Sequence, residues 1–251
     1  ADGIGILGPG SGEQACGEIG DGRMLEAAEI CEAVIAHFQP KVLAGRRVLM
    51  TAGPTFEALD PVRGLTNLSS GKMGFALARA CAEAGAAVTL ISGPVSQPTP
   101  AGVARINVQS AAQMHAAVLG AAGFSDIFIA VAAVADYRPV TTAADKIKKT
   151  GETLTVEFVR NPDILAEIAA LPSPPFCVGF AAESRDLDSY AQGKLVSKKL
   201  KLVVGNLVQD GMGGNTNQVV LFDAAGRHPL PLASKEDVAR GIVAHLSLLL
   251  S

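Results

Sequence analysis

Tryptophan is absent, and aromatic residues make up only 4% of the 251-residue chain. A stacking surface for single-stranded nucleic acid therefore has little to be built from. Charge of one sign is also lacking. A formal net charge of −3 and a pI of about 5.8 give no electrostatic case for nucleic acid or an anionic membrane. No apolar run is long enough to span a bilayer, and no basic-then-apolar leader is found, so neither membrane nor secretion is expected. Cysteine is scarce: Cys16, Cys31, Cys81 and Cys177 stand apart without metal-ligand spacing. That pattern speaks for a reducing, cytoplasmic setting and against zinc. His37, His115, His228 and His245 all fall away from the glycine loops, so a surface or core role is expected for each, and no nucleophile triad can be assembled.

Two nucleotide motifs are missing as well. A P-loop would need glycine where Thr66 stands, and Met73 occupies the position of its magnesium-binding Ser or Thr. The dinucleotide pattern G-x-G-x-x-G does not occur, since Gly53 is followed by Pro54 and Thr55. The strand expected over Ala87–Ile91 ends in Ser92-Gly93-Pro94, with no acid for a ribose hydroxyl. A nicotinamide-dependent reductase is thereby disfavoured, though it stays open beside a non-catalytic nucleotide-binding module.

What is present is a strand–helix alternation from Arg46 onward. Apolar runs at Val48–Thr51, Ala87–Ile91, Ala104–Val108, Asp126–Val131, Phe176–Phe180 and Leu202–Gly205 read as strands. Helical patterns at Gly74–Ala84, Ala111–Ala122, Asp163–Leu171 and Leu187–Leu200 separate most of them. Ser110 with Gln113 reads as a capping box, Asn161-Pro162 as a helix start, and Ser234 with Asp237 as the cap of a terminal helix. Val219–Phe222 and His228–Leu232 flank a hairpin signal. The expected fold is α/β: a Rossmann-like three-layer parallel sheet with helices on both faces, plus a C-terminal hairpin.

Two stretches break the rhythm. Thr51–Gly74 reads as a long loop of Gly, Pro, Ser, Thr and Asn ending in Ser69-Ser70-Gly71-Lys72 at a helix start. Free N–H groups and the helix dipole make such a place an anion site. Ala132–Lys149 is aperiodic and carries Asp136 and the basic run Lys146, Lys148 and Lys149. Asp136, just past a buried strand, suits either Mg²⁺ or a simple turn. The lysine run suits either a solvated loop or closure over a triphosphate. Lys194 and Lys198 share one helix face, around an anion or facing water. Residues 1–44 differ in character: the opening is so glycine-dense that no regular element is expected, and a helix follows over Leu25–Phe38. They read as the tail of a preceding domain, ordered or not, with 45–251 as the main domain.

Taken in order, TAGPT, DPVRGLTNLSSGKMG, AAVADYRP, DKIKK, NPDIL, VGFAAE and KLVSKK resemble the phosphopantothenoylcysteine synthetase domain of the bifunctional bacterial enzyme of coenzyme A biosynthesis. The opening GPGSGEQACGEIGDGRM resembles the end of its decarboxylase domain. The resemblance implies CTP-dependent ligation of 4′-phosphopantothenate and L-cysteine through an acyl-cytidylate, with release of pyrophosphate and CMP. It implies Lys146 for the first step, Asn67 for the second, and Arg63 beside Asn67 on the substrate phosphate or carboxylate. Asp136 would act at the nucleotide through Mg²⁺. Ala130, Val131, Ala132, Pro162, Asp163, Ile164, Leu165 and Phe180 would form the cytidine site, with Lys194 and Lys198 as its basic residues. Ser69, Ser70 and Gly71 would offer backbone donors to phosphate. A homodimer is implied, in which the irregular stretch after Val131 pairs subunits and its lysine loop closes an active site. The decarboxylase domain is the implied covalent partner. FMN would belong only to that domain, whose flavin-binding core this sequence lacks, so Cys16 would keep a catalytic identity without its function. Two departures stand out: Leu207 replaces a frequent Asp, and Tyr137 a frequent Trp.

Overall fold

Strands that are apolar throughout need cover on both faces, and the computed structural model gives them that cover. It describes residues 5–13, 17–149, 151–207 and 213–251. The chain divides into two units, Ala1–Lys41 and Val42–Ser251.

In the first unit, β1 (Gly10–Glu13) pairs antiparallel with β2 (Ile19–Arg23), and α1 (Ala27–Phe38) follows. The expectation of no regular element in this glycine-dense opening is therefore corrected. A two-stranded ladder needs only backbone N–H and C=O groups, which glycine supplies. Glu26 caps α1, and its own N–H donates to Glu29 Oε2 at 2.9 Å, closing a capping box.

The second unit is built on β3 (Arg47–Ala52), β6 (Ala87–Ser92), β7 (Val103–Asn107), β8 (Ile127–Ala130), β11 (Phe176–Glu183) and β12 (Leu202–Leu207). They pair in parallel in the order β7-β6-β3-β8-β11-β12. After the short strand β13 (Thr216–Asn217), the hairpin β14 (Val220–Asp223) and β15 (Gly226–Pro229) adds antiparallel to β12 and completes eight strands. The expected parallel sheet with a C-terminal hairpin is what forms.

Period-2 alternation sorts each strand between two cores. Val48, Met50, Ile127 and Ile129 point to a cluster with α2 (Lys72–Glu83) and the terminal helix α6 (Lys235–Leu249). Leu49 and Phe128 point the other way, to α3 (Ala111–Ala122), α4 (Ile164–Ala169) and α5 (Leu187–Ser197). Each such fully buried side chain contributes about 1.5–3 kcal/mol. The helix caps at Ser110 and Ser234 form as expected: Ser110 Oγ accepts from Gln113 N at 3.2 Å and Ser234 Oγ from Asp237 N at 3.1 Å.

Three local expectations are corrected. Thr51–Gly74 is not one long loop, because β4 (Phe56–Asp60) and β5 (Arg63–Thr66) form a hairpin inside it. Its turn is Asp60-Pro61-Val62-Arg63, and Asp60 Oδ1 accepts from Val62 N at 2.9 Å and Arg63 N at 3.0 Å. Ala132–Lys149 contains β9 (Tyr137–Pro139), paired antiparallel with β10 (Phe158–Arg160), so the expected strand over Leu154–Val159 is shorter and shifted. The cap of α4 is Asp163, whose Oδ1 accepts from Ala166 N at 3.0 Å, rather than Asn161. Asn161 is diverted: its Nδ2 donates to Ala135 O at 2.8 Å and its Oδ1 accepts from Arg138 Nη1 at 3.0 Å.

Candidate active site

The chain leaves β3, runs outward through β6 and β7, and returns to β8 on the other side of β3. The strand order reverses there, and connections diverge to opposite faces, opening a crevice at the carboxyl ends. Two clefts flank it, with Phe180 lining both.

The first cleft, of about 220 Å³, lies on the α4/α5 side and is lined by Thr51, Ala130, Ala132, Asp136, Pro162–Leu165, Phe180, Lys194 and Lys198. Its electrostatics come from a small network. Lys198 Nζ sits 2.6 Å from Asp163 Oδ2, while Asp163 Oδ1 caps α4. Burial pushes the Asp163 carboxyl up, but Lys198 and the Ala166 N–H outweigh it and hold it below the usual range. Lys194 donates to the Phe180 carbonyl. Burial and the nearby Lys198 charge lower its pKa against the pull of Asp163, Glu183 and Asp136. Lys194 therefore faces the cleft half-buried, not water. Asp136 is exposed on the rim, its carbonyl accepting from Asn161 N at 2.8 Å. One carboxylate beside a phosphate-sized cationic cleft suits a Mg²⁺ that would take its remaining ligands from phosphates and water.

The second cleft, of about 170 Å³, lies on the α2 side. Ser69, Ser70, Gly71, Lys72 and Gly74 line it with Val131, Ala182, Asn206, Asn217 and Lys235. Gly71 is the N-cap of α2 with φ +73°, and no side chain caps the helix. A Cβ on Gly74 would lie 2.5 Å from the Ala52 Cβ, so glycine there lets the helix start against the end of β3. Lys72 Nζ donates to Asn215 Oδ1 at 2.7 Å, and the buried Lys235 to Gly214 O at 2.5 Å. Burial, then the Lys72 charge, lowers the Lys235 pKa. Among the described residues, Asn217 Oδ1 is a buried acceptor without a partner.

Asn67 stands between the clefts. Its Nδ2 donates to Ala133 O and Val134 O, both at 3.1 Å, and those residues line the second and first cleft respectively. Lys146 and Arg63 line neither. The Arg63 guanidinium is 2.9 Å from Asp60 Oδ2 and donates to Ile147 O at 3.3 Å. Lys146 is exposed, and the next residue, Ile147, donates its N–H to Asp60 Oδ2 at 3.1 Å. Cys16 lies outside the described residues. Burial pushes the Cys81 thiol up to about 12 and the Cys177 thiol up to about 11, so neither is a thiolate nucleophile near neutral pH.

Residues 43–249 match the DNA/pantothenate metabolism flavoprotein C-terminal domain. The chain belongs to that family. It is 56% identical over 242 residues to the coenzyme A biosynthesis bifunctional protein CoaBC of Vibrio cholerae, covering 94% of this chain and 61% of that protein. The corresponding protein of Escherichia coli K12 is 49% identical over 242 residues, 93% of this chain and 60% of that one. The chain thus spans about three fifths of the length of these curated relatives. A crystal structure of the C-terminal domain of a coenzyme A biosynthesis bifunctional protein CoaBC superposes with a TM-score of 0.73 at 37% identity, over 84% of this chain and 98% of that chain.

In this DNA/pantothenate metabolism flavoprotein domain, sequence reasoning missed Lys235, Asn217 and Arg160 as cleft residues. Lys235 sits inside the Ser234–Asp237 capping pattern, where its side chain carries no separate signal. Asn217 and Arg160 sit at strand ends whose neighbours only the fold supplies. A further grouping is unannounced by spacing: His228 and His245, each expected to have a surface or core role, meet Asp223 at one point. No helix among the described residues is long and apolar enough to cross a membrane.

Proposed function

We propose that the chain carries the phosphopantothenate–cysteine ligase activity of coenzyme A biosynthesis, with CTP as co-substrate. The observation that carries this reading is the pair of clefts at the strand-order switch. One is lined by Lys194, Lys198 and Asp136, and the other opens on the uncapped N-terminus of α2. Cytidine occupies the first cleft against Phe180 and the Pro162–Leu165 turn. Phosphates run toward the N–H groups after Ser69 and Ser70. Asp136 would hold the Mg²⁺ that accompanies the triphosphate, and the ion would offset phosphate charge there.

In the first step a carboxylate oxygen of 4′-phosphopantothenate forms a bond to the α-phosphorus of CTP, and the bond to pyrophosphate breaks. Positive charge at Lys146 offsets the charge that builds on the phosphoryl oxygens. In the second step the cysteine amine attacks the acyl carbon, CMP leaves with the bridging oxygen, and the amine gives up a proton. Asn67, fixed by its two carbonyl contacts, orients the acyl group. Lys146 lines neither cleft of its own chain, which favours delivery of its loop to a neighbouring subunit in a homodimer. In the same reading, residues 1–44 belong to a decarboxylase domain, FMN is that domain's cofactor, and the protein is cytoplasmic.

The test incubates the purified chain with CTP, Mg²⁺ and 4′-phosphopantothenate, with and without cysteine. Pyrophosphate without cysteine, and CMP only with it, is the expected result. A folded chain that releases neither overturns the reading and leaves a nucleotide-binding module. Turnover with NADPH in place of CTP overturns it in favour of a reductase.

A further inference from the structure

Three elements bring one titratable side chain each to a common point away from both clefts. Asp223 ends β14, His228 lies on β15, and His245 lies on α6. The Asp223 side chain is 2% exposed, and its Oδ1 is anchored by the Ala225 N–H at 2.7 Å and the Gly226 N–H at 3.1 Å. His228 Nε2 lies 3.1 Å from Oδ1, and His245 Nε2 lies 2.8 Å from Oδ2. The rings are tilted at 46° with centroids 4.7 Å apart, and the ligand atoms all fall within 4.8 Å of one another.

We propose that Asp223, His228 and His245 form a binding site for a divalent transition-metal ion of the zinc class, which clasps the edge hairpin to the terminal helix. Two imidazole nitrogens and one carboxylate are the donor set that suits Zn²⁺ and its neighbours, whereas Mg²⁺ and Ca²⁺ prefer oxygen throughout. Tetrahedral bonds of about 2.0–2.2 Å put ligand atoms roughly 3.3–3.5 Å apart, so the 3.1 and 2.8 Å contacts to Asp223 open by a few tenths of an ångström as the ion enters. The two turn N–H groups hold the carboxylate in place, as partners of metal ligands do elsewhere. To bind, each ring presents its Nε2 lone pair and carries its proton on Nδ1. The hydrogen bonds to Asp223 then give way to metal–ligand bonds. His228, 38% exposed, opens the remaining coordination positions to water.

Without metal the three groups already satisfy one another, so the fold stands and the ion adds to it. A ligand bound only by the folded state raises its stability with concentration. The site uses no cleft residue, so its test is independent of the ligase reading.

The untagged, chelator-stripped chain is titrated with Zn²⁺ by calorimetry near neutral pH, alongside His228→Gln and His245→Gln. One Zn²⁺ per chain is expected, with each substitution weakening binding about tenfold or more. Zn²⁺ raises the thermal midpoint of the parent chain but not of His245→Gln, and Mg²⁺ does neither. Should a variant unfold, Co²⁺ added to the parent chain shifts the ring protons of His228 and His245 in NMR. Absence of Zn²⁺ binding, affinity unchanged in both variants, or paramagnetic shifts confined to His37 and His115 would each overturn the site.

Discussion

The Asp60 carboxylate accepts a hydrogen bond from the Ile147 main-chain N–H at 3.1 Å. A turn in the hairpin thereby fixes the backbone next to Lys146. Thr142 Oγ1 and Ala143 N add contacts to the Ala58 and Leu59 carbonyls of the same hairpin. Asp60→Asn removes the charge that also pairs with Arg63. Turnover in the proposed ligation should fall roughly 10–100-fold, as expected when a reacting group loses its position. The Ile147 amide should exchange faster with solvent. Unchanged exchange with lowered turnover would contradict this positioning role.

The same contact sets a pH dependence. Burial pushes the Asp60 carboxyl up, but the N–H groups of Val62, Ile147 and Arg63 and the Arg63 charge outweigh it, so its pKa lies below the usual value. A depressed carboxylate stabilises the fold above its unfolded pKa, about 3.9, and that contribution is lost as pH falls through the folded value. Protection of the Ile147 amide should therefore persist to pH values below the ordinary carboxylate range. Loss of protection already in mildly acidic solution would count against it.

Lys194 titrates in the opposite sense. Its folded pKa is lowered, so below that value the buried charge costs stability, and the cost is relieved as pH rises toward the ordinary lysine pKa of about 10.4. The proposed triphosphate contact needs the charged form, so CTP affinity should decline on the alkaline side before an ordinary lysine would titrate. Lys194→Gln should bind CTP about tenfold more weakly or worse and lose that early alkaline decline. Binding titrations across pH, read by calorimetry, decide this. A variant with parent affinity would remove Lys194 from the site.

Gly74 couples the α2 N-terminus to β3. Gly74→Ala sets a Cβ 2.5 Å from the Ala52 Cβ, which forces the helix start to move. The expected cost is about 1–3 kcal/mol in denaturant unfolding, with weaker CTP binding at the displaced N–H groups. Full stability with full affinity would mean that this close approach is not required.

Asn67 should separate the two half-reactions. Asn67→Asp keeps the size of the side chain but loses the donors to Ala133 O and Val134 O. Pyrophosphate release is expected to survive while cysteine-dependent CMP release slows by about 100-fold or more. Rapid-quench measurement of both products checks the split, and equal slowing of both steps would contradict it.

Much of the fold was legible because the buried strands are apolar end to end. Val48–Met50, Ile127–Ile129 and Val203–Val204 need two covered faces, and only a parallel sheet between helices offers them. The β4–β5 hairpin was not, since its Asp60-Pro61 turn lay among glycines and prolines that read as one loop. Asn161 mimicked a helix cap, yet Ala135 and Arg138, distant in sequence, claim its side chain. Motifs singled out Asp136, Lys194 and Lys198 separately, and the structure places all three in the lining of one cleft. The separation of Val131, which lines the second cleft with Ser69–Gly71, from Ala130 and Ala132 in the first depends on the alternation of side chains at the end of β8. Asp223, His228 and His245 have no common spacing at all, and only the packing of α6 on the hairpin unites them.

The acyl-cytidylate is the centre of the proposed chemistry, and isotope transfer tests it most directly. 4′-Phosphopantothenate labelled with ¹⁸O in both carboxylate oxygens is turned over with CTP and cysteine, and the CMP is weighed by mass spectrometry. Carboxylate attack on the α-phosphorus followed by aminolysis at carbon leaves one ¹⁸O in CMP and one in the amide product. Unlabelled CMP, with amide formed, would show that the carboxylate never bonded to the nucleotide and would contradict the mechanism.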